Sequence, residues 1–229
     1  PEFLAEGTAV EDFMAPDRIV IGAIDSRTEL TMKDMYKTFI DTDLVLTSPA
    51  TAEMCKYTAN SFLATVISFA NEIANLCSEV DGIDAIDVLR AVHMDRRLSP
   101  ILPQGRITPG LMSFLHPGTG FGGSCFPKDV KALSSFGANI GHPLRILEAV
   151  IETNRLQPNV TIELIRDELR SLKGKRIAVL GLAFKPGTDD VRETPAITVI
   201  KLLLDENAYV VAHDPIAVES MKATYPEIE

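Results

Sequence analysis

Apolar residues recur along this chain in two rhythms, one suited to strands and one to helices. Arg18–Ile24 (R-I-V-I-G-A-I) and Leu44–Thr47 are short aliphatic bursts that predict strands, with a helical pattern over Thr28–Phe39 between them. Ser48-Pro49 then offers a capping hydroxyl followed by proline at a first helical position. From there a helical pattern extends to about Glu79, a length of about 45 Å. Between Tyr57 and Ser78 the only formal charge is Glu72, and Phe62, Leu63, Val66, Ile67, Phe69, Ala70, Ile73, Ala74, Leu76 and Cys77 spread over most of the circumference. Such a helix is predicted to be buried on several sides. Asn60, Asn71, Asn75 and several Ser and Thr keep it below the purity of a membrane span, so the core of an oligomer is the expected setting.

Asp84–Met94 and Asp129–Asn139 read as shorter amphipathic helices, and Pro143–Leu169 as a second long one with a kink expected at Pro158. The pattern then changes. Lys175–Leu182 reads as a strand, Ala196–Glu206 as a helix and Tyr209–His213 as a strand ending in Asp214-Pro215, which makes a βαβ unit. The fold expected is α/β with a central all-helical dimerisation domain: the tail of an N-terminal Rossmann-like domain (1–47), a long-helix core (48–171) and the start of a C-terminal Rossmann-like domain (172–229). The boundary before the last falls near Ser171–Gly174. The start, Pro1-Glu2-Phe3-Leu4, has no initiator methionine, and the end, Pro226-Glu227-Ile228-Glu229, stops soon after a strand-like segment. An internal piece of a longer protein is expected.

Composition narrows the function classes. With 46% hydrophobic and 24% charged residues the chain has the make-up of an ordinary globular protein. A formal charge of −10 speaks against a general nucleic-acid or anionic-membrane binder, while leaving room for a local basic pocket. Cys55, Cys77 and Cys125 are widely spaced and odd in number, which fits a reducing cytoplasm better than a disulfide framework. His93, His116, His142 and His213 are scattered, so no metal is expected. Neither a signal peptide nor a membrane span is read.

Chemistry concentrates in Gly118-Thr119-Gly120-Phe121-Gly122-Gly123-Ser124-Cys125-Phe126-Pro127-Lys128-Asp129, where four glycines crowd one cysteine. Glycines permit positive φ and close approach of backbone to a ligand. Asp129 lies four residues beyond Cys125, so a helix starting near Pro127 turns it back toward the sulfur. The loop suits a covalent nucleophile with an acid/base pair; the bland alternative is a buried structural cysteine in a glycine-rich turn. Lys56 and Asn60 share a face at the polar start of the long helix, where a desolvated ammonium can polarise a substrate oxygen; the alternative is a surface pair. Glu2 and Glu6, four apart, are by themselves an ordinary solvated face. The turn after the strand at Lys175–Leu182 carries Lys185 and Arg192, which suit phosphates, yet it is neither a P-loop nor G-x-G-x-x-G.

Taken in order, P-E-F-L-A-E-G (Pro1–Gly7), P-D-R-I-V-I-G (Pro16–Gly22), K-Y-T-A-N (Lys56–Asn60), M-D-R-R (Met94–Arg97), G-F-G-G-S-C-F-P-K-D (Gly120–Asp129) and G-L-A-F-K-P-G-T-D-D-V-R-E-T-P (Gly181–Pro195) resemble the UDP-glucose/GDP-mannose dehydrogenase family along essentially the whole chain. The resemblance implies a four-electron oxidation of a sugar 6-hydroxymethyl to a carboxylate with two NAD⁺, by way of a thiohemiacetal and a thioester on Cys125. It implies catalytic roles for Cys125, Lys56, Asp129, Glu6 and Asn60: Lys56 beside the anionic oxygen, Asp129 ordering water, Glu6 as base for thioester hydrolysis. Substrate contacts are implied for Glu2, Phe3, Leu4, Arg97, Phe114, Leu115, Gly118, Gly122, Phe126, Phe184 and Lys185, with Arg97 reaching a neighbouring subunit's substrate. Cofactor contacts are implied for Glu6, Cys125 and Arg192. The domains become the C-terminal part of an NAD-binding domain, a central dimerisation and catalytic-cysteine domain, and the first part of a nucleotide-sugar-binding domain.

The family's N-terminal G-x-G-x-x-G domain and the threonine it carries are not found in the sequence, so the chain by itself is expected not to bind NAD⁺. The long Ser99–Ser113 segment is a further departure near the expected substrate pocket. UDP-glucose is the favoured substrate, with GDP-mannose or dTDP-glucose as alternatives; Ser124, where N-acetyl-sugar relatives commonly carry histidine, speaks against those. A dimerising, nucleotide-sugar-holding module without activity is the binding-class alternative. A cysteine hydrolase or acyltransferase lacks a histidine near Cys125.

Overall fold

The computed structural model describes residues 1–226, so the last three positions of the expected third domain lie outside the described residues. Contacts divide the chain into two compact units, 1–60 and 61 onward, each described by itself.

The first unit contains α1 (Ala9–Met14), β1 (Arg18–Gly22), α2 (Ser26–Met35), β2 (Asp43–Thr47) and the beginning of α3 (Pro49–Ser78). β1 and β2 are parallel, with Ile19 opposite Leu44 and Ile21 opposite Leu46. Ile19 and Ile21 are buried while Arg18, Val20 and Gly22 are less so, the period-2 alternation of a half-covered strand. Asp25 caps α2 by accepting from the Thr28 N–H at 2.7 Å. The expected helix over Thr28–Phe39 starts earlier, at this cap, and stops at Met35. Tyr36 and Phe39 leave it to pack their rings, with centroids 6.0 Å apart, and Phe13 of α1 meets Phe39 edge-on. At Gly22 an added Cβ would come within 2.7 Å of Pro49 Cα, so the strand end fits only as glycine against the start of α3.

The second unit comprises the rest of α3, then α4 (Ala85–His93), the hairpin β3 (Ile101–Leu102) and β4 (Gly105–Arg106), a 3₁₀ turn (Gly110–Phe114), α5 (Phe126–Asn139), α6 (Arg145–Leu169), β5 (Arg176–Leu180), α7 (Pro195–Asp205), β6 (Tyr209–His213) and α8 (Val218–Thr224). Asp84 caps α4 and Thr194 caps α7, with Pro195 at its first position. One core joins Ala64 of α3, Phe121, Val130 of α5, and Leu147 and Val150 of α6. A second joins Ala70, Leu89 and Leu115. Ile162 of α6 packs with Val199 and Leu203 of α7, and α6 runs as one helix through the buried Pro158. β5 and β6 are parallel and α7 is their crossover, the expected βαβ unit.

Within this chain alone α3 is not covered on every side. Ala64, Ser68, Ala70, Asn71 and Cys77 face inward, but Phe62, Phe69 and Leu76 are 54%, 50% and 62% exposed. Their spacing of seven puts them on one stripe.

Candidate functional site

Cys125 occupies the N-cap position of α5, and its side chain is exposed. The bland reading of a buried cysteine is therefore set aside. The N-terminus of a helix is the positive end of its dipole and favours negative charge placed there. Asp129 lies in the first turn of α5, is 1% exposed, and pairs with the ammonium of Lys128. The Ser124 hydroxyl lies 3.7 Å from Cys125 Sγ, and Phe126 packs against Phe114 and Phe121.

The preceding loop is fastened by side-chain amides. Asn71 Oδ1 accepts from the Gly118 N–H at 2.7 Å, and Gln157 Nε2 donates to the Gly118 carbonyl at 2.9 Å. Asn154 engages both polar groups of Phe121: Oδ1 accepts from its N–H at 2.7 Å and Nδ2 donates to its carbonyl at 3.0 Å. Asn75 and Gln157 exchange two bonds, 2.9 and 3.3 Å. Gly118-Thr119-Gly120-Phe121-Gly122-Gly123 spells G-x-G-x-x-G, but it follows a 3₁₀ turn rather than a strand. Gly118 also spends its N–H on Asn71, so this is not the dinucleotide context.

The turn after β5 is built differently and meets the cysteine loop. The Asp214 carboxylate, at the end of β6, accepts four N–H groups: Leu182 at 2.8 Å, Ala183 at 3.3 Å, and Ile216 and Ala217 at 2.8 Å each. Burial pushes its pKa up, but these four donors outweigh burial and hold it well below the usual carboxylate range. Asp190 clasps Arg192 bidentately, Nε to Oδ1 at 2.9 Å and Nη2 to Oδ2 at 2.8 Å. The Phe184 N–H donates to the Asp190 carbonyl at 3.1 Å. Gly123 N–H donates to the Arg192 carbonyl at 2.9 Å, and a Cβ on Gly123 would stand 2.8 Å from the Phe184 ring. At Gly122 a Cβ would overlap the Glu193 carbonyl. These two glycines are required because the loops lie in contact.

In the first unit, Lys56 lies against two other candidates from the sequence, Glu2 and Phe3. Its side chain is 14% exposed, its ammonium lies 3.3 Å from Glu2 Oε1, and it sits 5.8 Å from the Phe3 ring centroid, over which the Arg18 guanidinium packs at 4.0 Å. The Lys56 ammonium is thus sheltered, and its neighbours are the Glu2 carboxylate and the Phe3 ring. The Glu2 side chain also accepts from the Leu4 N–H at 3.2 Å, and Asn60 is buried. Glu6 lies in the turn before α1.

Elsewhere in the second unit, Arg97 is exposed and paired to Asp95 at 2.5 Å; its hydrogen bonds hold the Asp95 carboxyl down to about 2. Phe114 closes the 3₁₀ turn, and the Leu115 carbonyl bonds His93 Nε2 at 3.0 Å. Lys185 lies 5.5 Å from the Phe184 ring. The sequence reading missed Asn154, Gln157 and Asp214. The signal available was amides spaced four apart (Asn71, Asn75) and three apart (Asn154, Gln157) on otherwise core-facing helices, and an aspartate closing a strand. Among the described residues no helix is long and apolar enough to cross a membrane, and no cluster of three or more His, Cys, Asp or Glu could hold a metal.

Profiles of the UDP-glucose/GDP-mannose dehydrogenase family match in chain order: the NAD binding domain over residues 1–40, the central domain over 50–156 and the UDP binding domain over 178–229. The chain belongs to that family. It is 46% identical to a UDP-glucose 6-dehydrogenase of Rickettsia bellii, over 98% of this chain and 50% of that one, and 43% identical to another from Haloferax volcanii, over 100% and 51%. The solved UDP-glucose dehydrogenase of Pyrobaculum islandicum superposes with a TM-score of 0.87 at 44% identity, covering 97% of this chain and 48% of that one. The chain thus spans about half the length of the curated relatives it matches, and it shares their α/β fold.

Proposed function

We propose that the protein is an NAD-dependent nucleotide-sugar 6-dehydrogenase that converts UDP-glucose to UDP-glucuronate through a covalent adduct on Cys125. The observation that carries this is the exposed thiol at the N-terminus of α5, presented by a fastened glycine loop beside the buried Asp129. In the overall reaction a –CH₂OH group and one water become a carboxylate, and two NAD⁺ take up the four electrons. Leu182 and Ala183 after β5 give their N–H groups to Asp214, so that turn is not an open cradle for a pyrophosphate.

Cys125 Sγ adds to the C6 carbon of the aldehyde and forms the C–S bond of a thiohemiacetal. After the second oxidation the same bond is a thioester, and water replaces sulfur at C6 to release the carboxylate and the thiol. The adduct retains the aldehyde until the oxidation is complete. Lys56 is assigned to the anionic oxygen, its sheltered ammonium favouring negative charge. Asp129 is assigned to ordering water and moving its proton, Glu6 to base in the hydrolysis, and Asn60 to the oxyanion. Glu2, Phe3, Leu4, Arg97, Phe114, Leu115, Gly118, Gly122, Phe126, Phe184 and Lys185 are assigned to the nucleotide sugar, and Glu6, Cys125 and Arg192 to the cofactor side. The exposed stripe of Phe62, Phe69 and Leu76 supports a homodimer through α3. A cytoplasmic location and the 1–47, 48–171 and 172–229 domain division belong to the same reading.

The test is NADH production by the full-length protein with UDP-glucose, GDP-mannose and dTDP-glucose. UDP-glucose is expected to be preferred, and Cys125→Ser to stop the reaction short of the uronate. Normal turnover to uronate by that variant would refute the nucleophile, and activity with GDP-mannose alone would move the substrate assignment. Light scattering is expected to show a dimer that Phe69→Glu disrupts.

A further inference from the structure

We propose that Asn154 is a positioning residue for the nucleophile: its amide clasps both polar groups of Phe121 and sets the path of the backbone that presents Cys125. The inference rests on the assignment of Cys125 above. A run with glycine at 118, 120, 122 and 123 has little of its own to hold a single path, because glycine surrenders more conformational freedom on ordering than any other residue. Gly120 and Gly123 both adopt positive φ, +104° and +80°. The loop is therefore fixed from outside, and Asn154 does so four residues before the sulfur, by imitating the paired N–H and C=O of a neighbouring strand.

Two observations tie these amides to the loop rather than to the core alone. An added Cβ on Gly120 would stand 2.7 Å from Asn154 Oδ1, so the glycine makes room for this amide. Asn71 keeps its bond to the Gly118 N–H although its own Nδ2 is buried with no hydrogen-bond partner among the described residues. An apolar residue at 71 would remove that unpaired donor, so what the amide supplies there is the loop contact. Asn71 from α3 and Asn154 and Gln157 from α6 thus converge on Gly118 and Phe121, Asn75 braces Gln157, and none of them is ionisable.

The test uses full-length protein carrying Asn154→Asp, which still accepts from the Phe121 N–H but turns an oxygen toward its carbonyl. A displacement of the sulfur of about 1 Å is expected to lower kcat about 100-fold, with KM for the nucleotide sugar within about threefold. Iodoacetamide alkylation of Cys125, followed by peptide mass spectrometry, is expected to slow at least about threefold as the thiol leaves the α5 N-terminus. Cys55 and Cys77 serve as internal references. Unchanged alkylation of Cys125 in a folded variant overturns the proposal, whatever kcat does. Should Asn154→Asp not fold, Asn154→Ala, which leaves space for water, is read by the same two rates. If the parent oxidises no nucleotide sugar, the proposed function fails, while the alkylation arm still reports on the loop.

Discussion

Two glycine-bearing turns meet at Gly123, and they are held by opposite kinds of chemistry. The loop Gly118–Gly123 is fastened by neutral amides, whereas the turn Leu182–Glu193 is fastened by carboxylates, Asp214 beneath it and Asp190 within it. A carboxylate accepting several N–H groups makes strong, charge-assisted bonds, but its grip depends on pH. Amides hold less strongly and are indifferent to pH. The difference teaches that Gly118–Gly123 is held without a fixed charge, while the charged clasps sit on the neighbouring turn, which it meets through the Gly123 N–H and the Arg192 carbonyl.

The comparison breaks most severely where the turns touch. Gly123→Ala forces a side chain onto positive φ and into the Phe184 ring, and is expected to lower kcat at least about 100-fold and stability by about 2–3 kcal/mol. Pairing it with Phe184→Ala should return part of the stability, as urea denaturation of single and double variants will show. Asp214→Asn comes next. Two of the four N–H groups it holds lose their acceptor, an expected loss of about 2–3 kcal/mol at pH 7 by urea denaturation.

The pH dependence follows from the sign of the shift. Asp214 has a folded pKa below its ordinary 3.8, so its contribution is complete above that value and is lost as pH falls through it toward the folded pKa. The gap between parent and Asp214→Asn should therefore narrow below about pH 4. For the amide clasp, an Asn75→Ala and Gln157→Ala cycle should give a coupling of about 0.5–1.5 kcal/mol that stays constant from pH 8 to 4. The smallest effect is expected from Lys131→Ala. It removes the exposed 2.9 Å pair between α5 and Glu193 and should change stability by at most about 0.5 kcal/mol.

Much of the architecture was legible because it rests on local rules. Ser48-Pro49 starts α3 where a cap and proline require it, and the aliphatic runs of β5 and β6 around the apolar α7 announce a βαβ unit. The elements that escaped are short: α1, the β3–β4 hairpin, the 3₁₀ turn and α8 span too few residues for a period to emerge. Exposure of Cys125 was argued from its glycines, and the structure agrees. The partners of that loop were not legible, because Asn71 and Asn75 register in the sequence only as dilution of an apolar helix. Their targets, Gly118 and Gln157, lie 47 and 82 residues away respectively. Asp214 was likewise read as the end of a strand, since nothing local marks its four acceptor bonds.

The two faces of α3 in the second unit constrain one another. Phe62, Phe69 and Leu76 point outward, while Asn71 and Asn75 reach inward to Gly118 and Gln157 from the same rigid cylinder. A turn of this helix about its axis by about 20° would carry each Cα roughly 0.8 Å along its arc, given a radius of about 2.3 Å. That is enough to strain a 2.7 Å bond to Gly118. The azimuth of α3 is thus a single mechanical coordinate on which both the outer stripe and the footing of the thiol loop depend.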